Sequence, residues 1–166
     1  DYFMEKGHRT IGFIGGPDRN IDTGLPSMDI REWSFRQSAS YYNCLNEDYI
    51  LISDKFTVEE GYRLGKELLT KETIPTSLCV ASDTLAVCVL QALNEAGVQV
   101  PEQVAVFSIN DVNIAKYLSP PLTTIHIDIP IICETALDLL RNRVLSGGKI
   151  TKSIFVNGTP VFRKSC

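Results

Sequence analysis

The stretch Val104-Ala-Val-Phe-Ser-Ile-Asn-Asp111 decides the fold. Val104–Ile109 is too rich in Val and Ile to leave a face to water, so it predicts a strand buried on both faces, stopped by Asn110 and Asp111. Upstream the same grammar repeats. Pro75 precedes a strand at Ser77–Ala81, and Ser82 or Asp83 caps a helix that Gly97 ends and Pro101 stops. Tyr49–Ser53 is a further strand. Thr57-Val-Glu-Glu60 then has the form of a capping box and opens a helix with Tyr62, Leu64, Leu68 and Leu69 on its apolar side. Thr10–Ile14 is the first strand, ending in the turn Gly15-Gly16-Pro17. A loop rich in Gly, Pro, Asp and Asn covers 17–28, and Asp29-Ile-Arg-Glu32 resembles a second capping box, for a helix running to about Asn43. Strands joined by helix-length crossovers are parallel, so the class is α/β: a doubly wound parallel sheet with helices on both faces.

Downstream the pattern changes. Asn113–Leu118 is at most a short helix, Pro120-Pro121 breaks it, and Leu122–Ile127 is another strand. Pro130–Leu145 predicts an amphipathic helix carrying Ile132, Ala136, Leu139, Leu140 and Val144, ended by Gly147-Gly148. Two short strands, about Thr151–Val156 and Pro160–Phe162, are expected last. At the other end, Asp1–Lys6 reads as the final turns of a helix closed by Gly7, so the expectation is a protein that begins upstream.

Composition excludes several classes. The 166 residues are 44% hydrophobic and 22% charged, which fits one globular domain and rules out disordered and fibrous chains. A net charge of -4, with no cluster of Lys and Arg, argues against phosphate-driven DNA binding by this stretch alone. The cysteines (Cys44, Cys79, Cys88, Cys133 and Cys166) show neither CxxC nor Cys/His metal spacing, so no metal is expected. Cys79 and Cys88 sit in apolar runs and read as small buried hydrophobes, which fits a reducing, cytoplasmic home. No apolar run reaches the roughly 18 residues that span a bilayer, so no membrane partner is expected.

In open parallel sheets, ligands bind beyond the carboxyl ends of the strands. Those ends deliver Gly15, Gly16, Asp18 and Arg31; Asp54, Lys55 and Phe56; Ser82 and Asp83; and Asn110 and Asp111. Arg, Asn and Asp supply the paired donors and acceptors that sugar hydroxyls need, and an aromatic ring covers the apolar C–H face. Each residue has a plainer reading beside this one. Ser82 and Asp83 can simply cap their helix, Asn110 and Asp111 can be turn residues, and Phe56 can pack under a loop. Arg31 can be a solvated first-turn residue, although a cation there opposes the helix dipole. Enzyme signals are poor: no GxSxG, GxGxxG or P-loop pattern follows any strand, and neither His8 nor His126 has a nucleophile nearby in sequence. No catalytic residue and no cofactor are expected.

Several motifs together carry a family resemblance. Lys6-Gly-His-Arg9 with Ile11-Gly-Phe-Ile-Gly-Gly16, Pro75-Thr76 leading to Val80-Ala-Ser-Asp83, Asn110-Asp111, and Ser119-Pro-Pro-Leu-Thr-Thr-Ile125 resemble the effector domain of the LacI/GalR repressors. The match runs along essentially the whole chain, and Asp29-Ile-Arg-Glu32 resembles the branch answering to galactose or galactosides. The resemblance implies a type I periplasmic-binding-protein fold, with two doubly wound lobes, three crossovers and a sugar in the cleft. It also implies homodimerisation and an N-terminal helix-turn-helix domain through which alone operator DNA is bound. Matched by motif, Arg31 falls where family members hold the effector with an arginine, Phe56 where an aromatic packs on it, and Ser82 where a polar side chain contacts it. Asn110 falls where an Asp is usual, and Asp29 joins this effector-binding set through its motif. Asn110 is a departure, because an amide both donates and accepts and carries no charge. Ile127 departs too, at a position that is polar in some members.

On this mapping residues 1–125 are the C-terminal lobe. Residues 126–148 are a crossover whose helix belongs to the other lobe, and residues 149–166 are strands returning to the first. A sugar-binding protein for uptake shares the fold and stays open as the alternative.

Overall fold

The computed structural model describes residues 1–19, 22–148 and 151–166. The strands are β1 (Ile11–Gly15), β2 (Asp18–Arg19), β3 (Pro26–Ser27), β4 (Ile50–Ile52), β5 (Ser77–Val80), β6 (Ala105–Asn110), β7 (Thr123–His126) and β8 (Thr159–Val161). The helices are α1 (Tyr2–Glu5), α2 (Ile30–Tyr41), α3 (Val58–Leu68), α4 (Asp83–Glu95) and α5 (Ile129–Leu145), with 3-10 turns at Glu47–Tyr49 and Asn113–Tyr117. Six strands form one sheet in the order β4-β1-β5-β6-β7-β8. All neighbours are parallel except β7 and β8, which run antiparallel. The expected doubly wound α/β sheet is therefore present, with one antiparallel strand at its edge.

Side chains alternate between the two faces of each strand, and the burial follows that period. Ile14, Leu78, Val80, Val104 and Val106 join Leu64, Leu68, Leu85, Val89 and Leu93 of α3 and α4 in the larger core. Each fully buried Leu or Val there is worth about 1.5–3 kcal/mol. Gly61 lets the two helices close up, since a Cβ at that position would be driven into the Leu85 carbonyl. The intervening residues Ile11, Cys79, Ala105 and Phe107 face a smaller cluster with Phe3 of α1 and Phe35 of α2. That second layer is thinner. Phe107 and Ile109 are only half-buried, so β6 is not sealed on both faces as its composition predicts.

Other expectations are corrected locally. Thr57 and Asp29 do cap their helices, accepting from the N–H of Glu60 and Arg31. Neither glutamate closes its capping box, however: Glu60 accepts from Ser53 and Arg63, and Glu32 accepts from Arg36. An ion pair or a hydroxyl proved the stronger partner. The loop over 17–28 contains the short β2–β3 hairpin. Its residues 20 and 21 lie outside the described residues, as do 149 and 150 at the start of the returning segment. Thr151–Val156 forms no strand. Ile154, Phe155 and Val156 line a cavity of about 270 Å³ with Ile132, Ala136 and Leu139 of α5, and only Thr159–Val161 enters the sheet. No residue of α5 is buried. Ile131, Leu137, Leu140 and Val144 stand exposed, so the helix does not fold its apolar stripe back onto the sheet.

Candidate functional site

The parallel register brings the carboxyl ends of β4, β1, β5 and β6 to one edge, and the sequence-predicted residues follow those ends. Arg31 lies in the first turn of α2 and is held on three sides. Its Nε and Nη2 donate to the two Asp29 carboxylate oxygens at 2.8 and 2.6 Å, and its Nη1 donates to the Ala81 carbonyl, just past β5, at 2.7 Å. Its guanidinium carbon sits 4.8 Å from the centroid of the Phe56 ring, within cation–π range. A guanidinium has five N–H donors, so two have no partner among the described residues, on a side chain that is 31% exposed. Phe56 can come this close to the end of β1 because residue 16 is glycine. A Cβ there would stand 3.1 Å from both the ring and the Ser53 carbonyl.

Asp29 is buried, and among the described residues its carboxylate accepts from Arg31 alone, from the backbone N–H as well as the side chain. These bonds fix the orientation of the guanidinium at the rim. Burial pushes its carboxyl up, but the Arg31 side-chain and backbone hydrogen bonds and the Arg31 charge more than offset this, leaving it below the ordinary carboxylate value.

Ser82 caps α4, accepting from the Thr84 N–H at 3.2 Å, and is 5% exposed. The capping reading of this residue is thus realised, while its hydroxyl donates to no group among the described residues. Asp83 is fully buried and ties the ends of β5 and β6 to β7. Its carboxylate accepts from the Val112 N–H at 2.9 Å and from the Thr124 hydroxyl at 2.7 Å. The Thr124 hydroxyl in turn accepts from the Asp111 N–H at 3.3 Å.

Asn110 and Asp111 are the strained point of the rim. Their φ angles are 120° and 55°, where residues other than glycine cost about 1–3 kcal/mol each. The Asp111 carboxylate accepts from Arg163 Nη2 at 2.6 Å and meets His126 Nδ1 at 3.1 Å. Asn110 is exposed, and its side chain forms no hydrogen bond among the described residues. Below the rim, a cavity of about 300 Å³ is lined by Arg31, Ala81, Ile109 and the rings of Phe13, Phe35 and Phe107.

Of the residues singled out from sequence, Arg31, Asp29 and Phe56 form one contacting group. Ser82 follows directly on Ala81, whose carbonyl Arg31 binds, and Asn110 ends the neighbouring strand. Sequence reasoning did not single out Thr124 or Arg163. Thr124 lies inside the Pro-Pro-Leu-Thr-Thr motif, so its role had a signal; Arg163 had none. Among the described residues no His, Cys, Asp and Glu side chains group as a metal site, and no helix is long and apolar enough to cross a membrane.

Comparison with known proteins points one way. The model of the periplasmic binding protein-like domain matches residues 1–166. The HTH-type transcriptional regulator GanR of Bacillus subtilis (strain 168) is 44% identical over 163 residues, covering 97% of this chain and 49% of GanR. The HTH-type transcriptional regulator GalR of Lacticaseibacillus casei is 34% identical over 166 residues, covering 99% of this chain and 50% of GalR. A sugar-binding transcriptional regulator of the LacI family from Escherichia coli, solved with phosphate, superposes with a TM-score of 0.81 at 25% identity. That match covers 99% of this chain and 57% of the other. The chain therefore spans about half the length of the curated relatives it matches.

Proposed function

The chain belongs to the periplasmic binding protein-like domain family, among the LacI/GalR transcriptional regulators, and on that premise we propose that it is the effector-sensing part of a sugar-responsive repressor. Its effector is galactose or a galactoside, bound at the rim formed by Arg31, Phe56, Ser82 and Asn110. Residues 1–125 and 149–166 make up one lobe. Helix α5, with no buried residue here, serves the other. The whole regulator is a cytoplasmic homodimer that binds its operator through an N-terminal helix-turn-helix domain, and the sensing part performs no catalysis.

One observation carries this reading. Arg31 is fixed by Asp29 and Ala81 beside an aromatic ring, yet two of its donors have no partner among the described residues. A charged, planar donor pair held rigid next to an apolar surface suits the adjacent hydroxyls and C–H groups of a pyranose. Ser82 adds a hydroxyl hydrogen, and Asn110 adds an amide that both donates and accepts. The relatives are transcriptional regulators, which favours this reading over uptake and over enzymatic activity.

Calorimetry of the full-length regulator against D-galactose, lactose, D-glucose and D-ribose tests it. A galactose-type sugar should bind with a dissociation constant of about micromolar order and the others more weakly. Failure of every galactose-type sugar to bind would remove the proposed effector class.

A further inference from the structure

We infer that Arg163 is a positioning residue for effector recognition: by holding Asp111 it makes Asn110 present its side-chain amide at the rim. This rests on the effector site proposed above. Asn110 takes a left-handed φ of 120°, and its side chain forms no hydrogen bond among the described residues that would hold it there. Its backbone is paired with His126 in the β6–β7 ladder, and the turn beyond it is held at Asp111, itself at φ 55°, through the Thr124 hydroxyl and through its own carboxylate. The Asp111 carboxylate has two partners of unequal firmness. His126 is 47% exposed and stands 3.1 Å away. Arg163 is 17% exposed and 2.6 Å away.

Arg163 is itself locked at two further points. Its Nη1 donates to the Leu122 carbonyl at 2.8 Å, and its backbone N–H donates to the Thr123 hydroxyl at 2.8 Å. The segment carrying it is anchored just beyond: the Ser165 hydroxyl donates to the Val106 carbonyl and accepts from the Thr123 N–H. A charged hydrogen bond from a support this rigid can keep a pair of disfavoured backbone angles that neither residue would choose alone. If the tether is cut, residues 110 and 111 can relax toward φ < 0, which re-aims the Asn110 amide away from its ligand. The residue that sets the sugar-reading geometry thus comes from the end of the chain, 52 positions from the carboxylate it holds.

A double-mutant cycle on the full-length regulator, read by calorimetry with D-galactose, tests this, with urea unfolding run on each variant. Asn110→Ala and Arg163→Met should each weaken binding about tenfold, and the double variant should be no more than about twofold weaker than Asn110→Ala alone. Arg163→Lys should recover part of the loss. Should Arg163→Met fail to fold, Asp111→Asn keeps the side-chain size and an accepting oxygen, loses only the charge, and should weaken galactose binding about threefold or more, the order expected when a charged hydrogen bond becomes a neutral one. Additive losses in the cycle, or wild-type affinity in Arg163→Met or Asp111→Asn, would overturn the positioning role. A wild-type regulator indifferent to galactose would instead overturn the effector reading beneath it, and the proposal with it.

Discussion

Arg31→Ala should leave the fold standing and strip the site of its principal donor. On the stability side it removes the ion pair to Asp29; the Arg side chain is 31% exposed but the carboxylate is buried, so leaving it without its charged partner costs about 1–3 kcal/mol. It also removes one hydrogen bond to the Ala81 carbonyl, worth about 1 kcal/mol, and the contact with Phe56, worth about 0.5–1 kcal/mol. Asp29 keeps the backbone N–H of residue 31, so α2 keeps its cap. The sum, about 2.5–5 kcal/mol, does not exceed the roughly 5–15 kcal/mol by which a domain is stable. On the binding side, two open N–H groups of a charged donor are lost, which should cost about 1.5–3 kcal/mol, or roughly 10- to 150-fold in dissociation constant. Calorimetry of the full-length variant with D-galactose measures the second quantity and urea unfolding the first. Arg31→Lys keeps the charge but loses the planar fork, and should recover only part of the affinity. A dissociation constant within twofold of wild type for Arg31→Ala would refute the assignment of this guanidinium to the effector.

The remaining expectations concern the frame around the site. Asp83→Ala leaves the Val112 N–H and the Thr124 hydroxyl without their buried acceptor, and should lower unfolding free energy by about 2–5 kcal/mol in urea titrations; a loss under 1 kcal/mol would show that water replaces the carboxylate. Because the Asp29 carboxyl lies below its ordinary value when folded, its contribution to stability is fully present above the unfolded value of about 3.9 and is lost as pH falls through the folded one. Acid unfolding of Asp29→Asn should accordingly be shallower than wild type below about pH 4, and parallel curves would contradict this. Among the thiols, burial pushes Cys79 up to about 12, whereas Cys133 is exposed on α5. Cys79 and Cys88 are half-buried and not the sealed hydrophobes their apolar runs predict. Maleimide labelling of the native protein at neutral pH should therefore modify Cys133 within minutes and Cys79 far more slowly, with equal rates counting against the raised Cys79 thiol.

Much of the fold was legible because its signals are local. Apolar runs, the caps at Asp29, Thr57 and Ser82, and the glycine at 97 each act within a few residues, so they mark strands and helices without knowledge of anything distant. Parallel pairing followed from crossover length, and parallel pairing alone placed Arg31, Phe56, Ser82 and Asn110 toward one edge. The local rules failed where a competing partner lay outside their window. Glu32 and Glu60 match the capping-box pattern, yet their carboxylates went to Arg36 and to Ser53 with Arg63. Thr151–Val156 reads as a strand by composition but has no ladder to join, and it lies against α5 instead.

By itself, then, the sequence determined the class of fold, the order of its main strands and helices, and which residues stand at the carboxyl edge. Periodicity and capping are properties of neighbours along the chain. Only the tertiary structure decided how those residues are aimed. It turned Asp29 wholly onto Arg31, set the Arg31 guanidinium against Phe56, and brought Thr124 to Asp83 and Arg163 to Asp111 across separations of 41 and 52 residues. Those pairings depend on strand register and on where a returning segment docks. Register is the joint outcome of every contact in the sheet, so no stretch of a few residues encodes it.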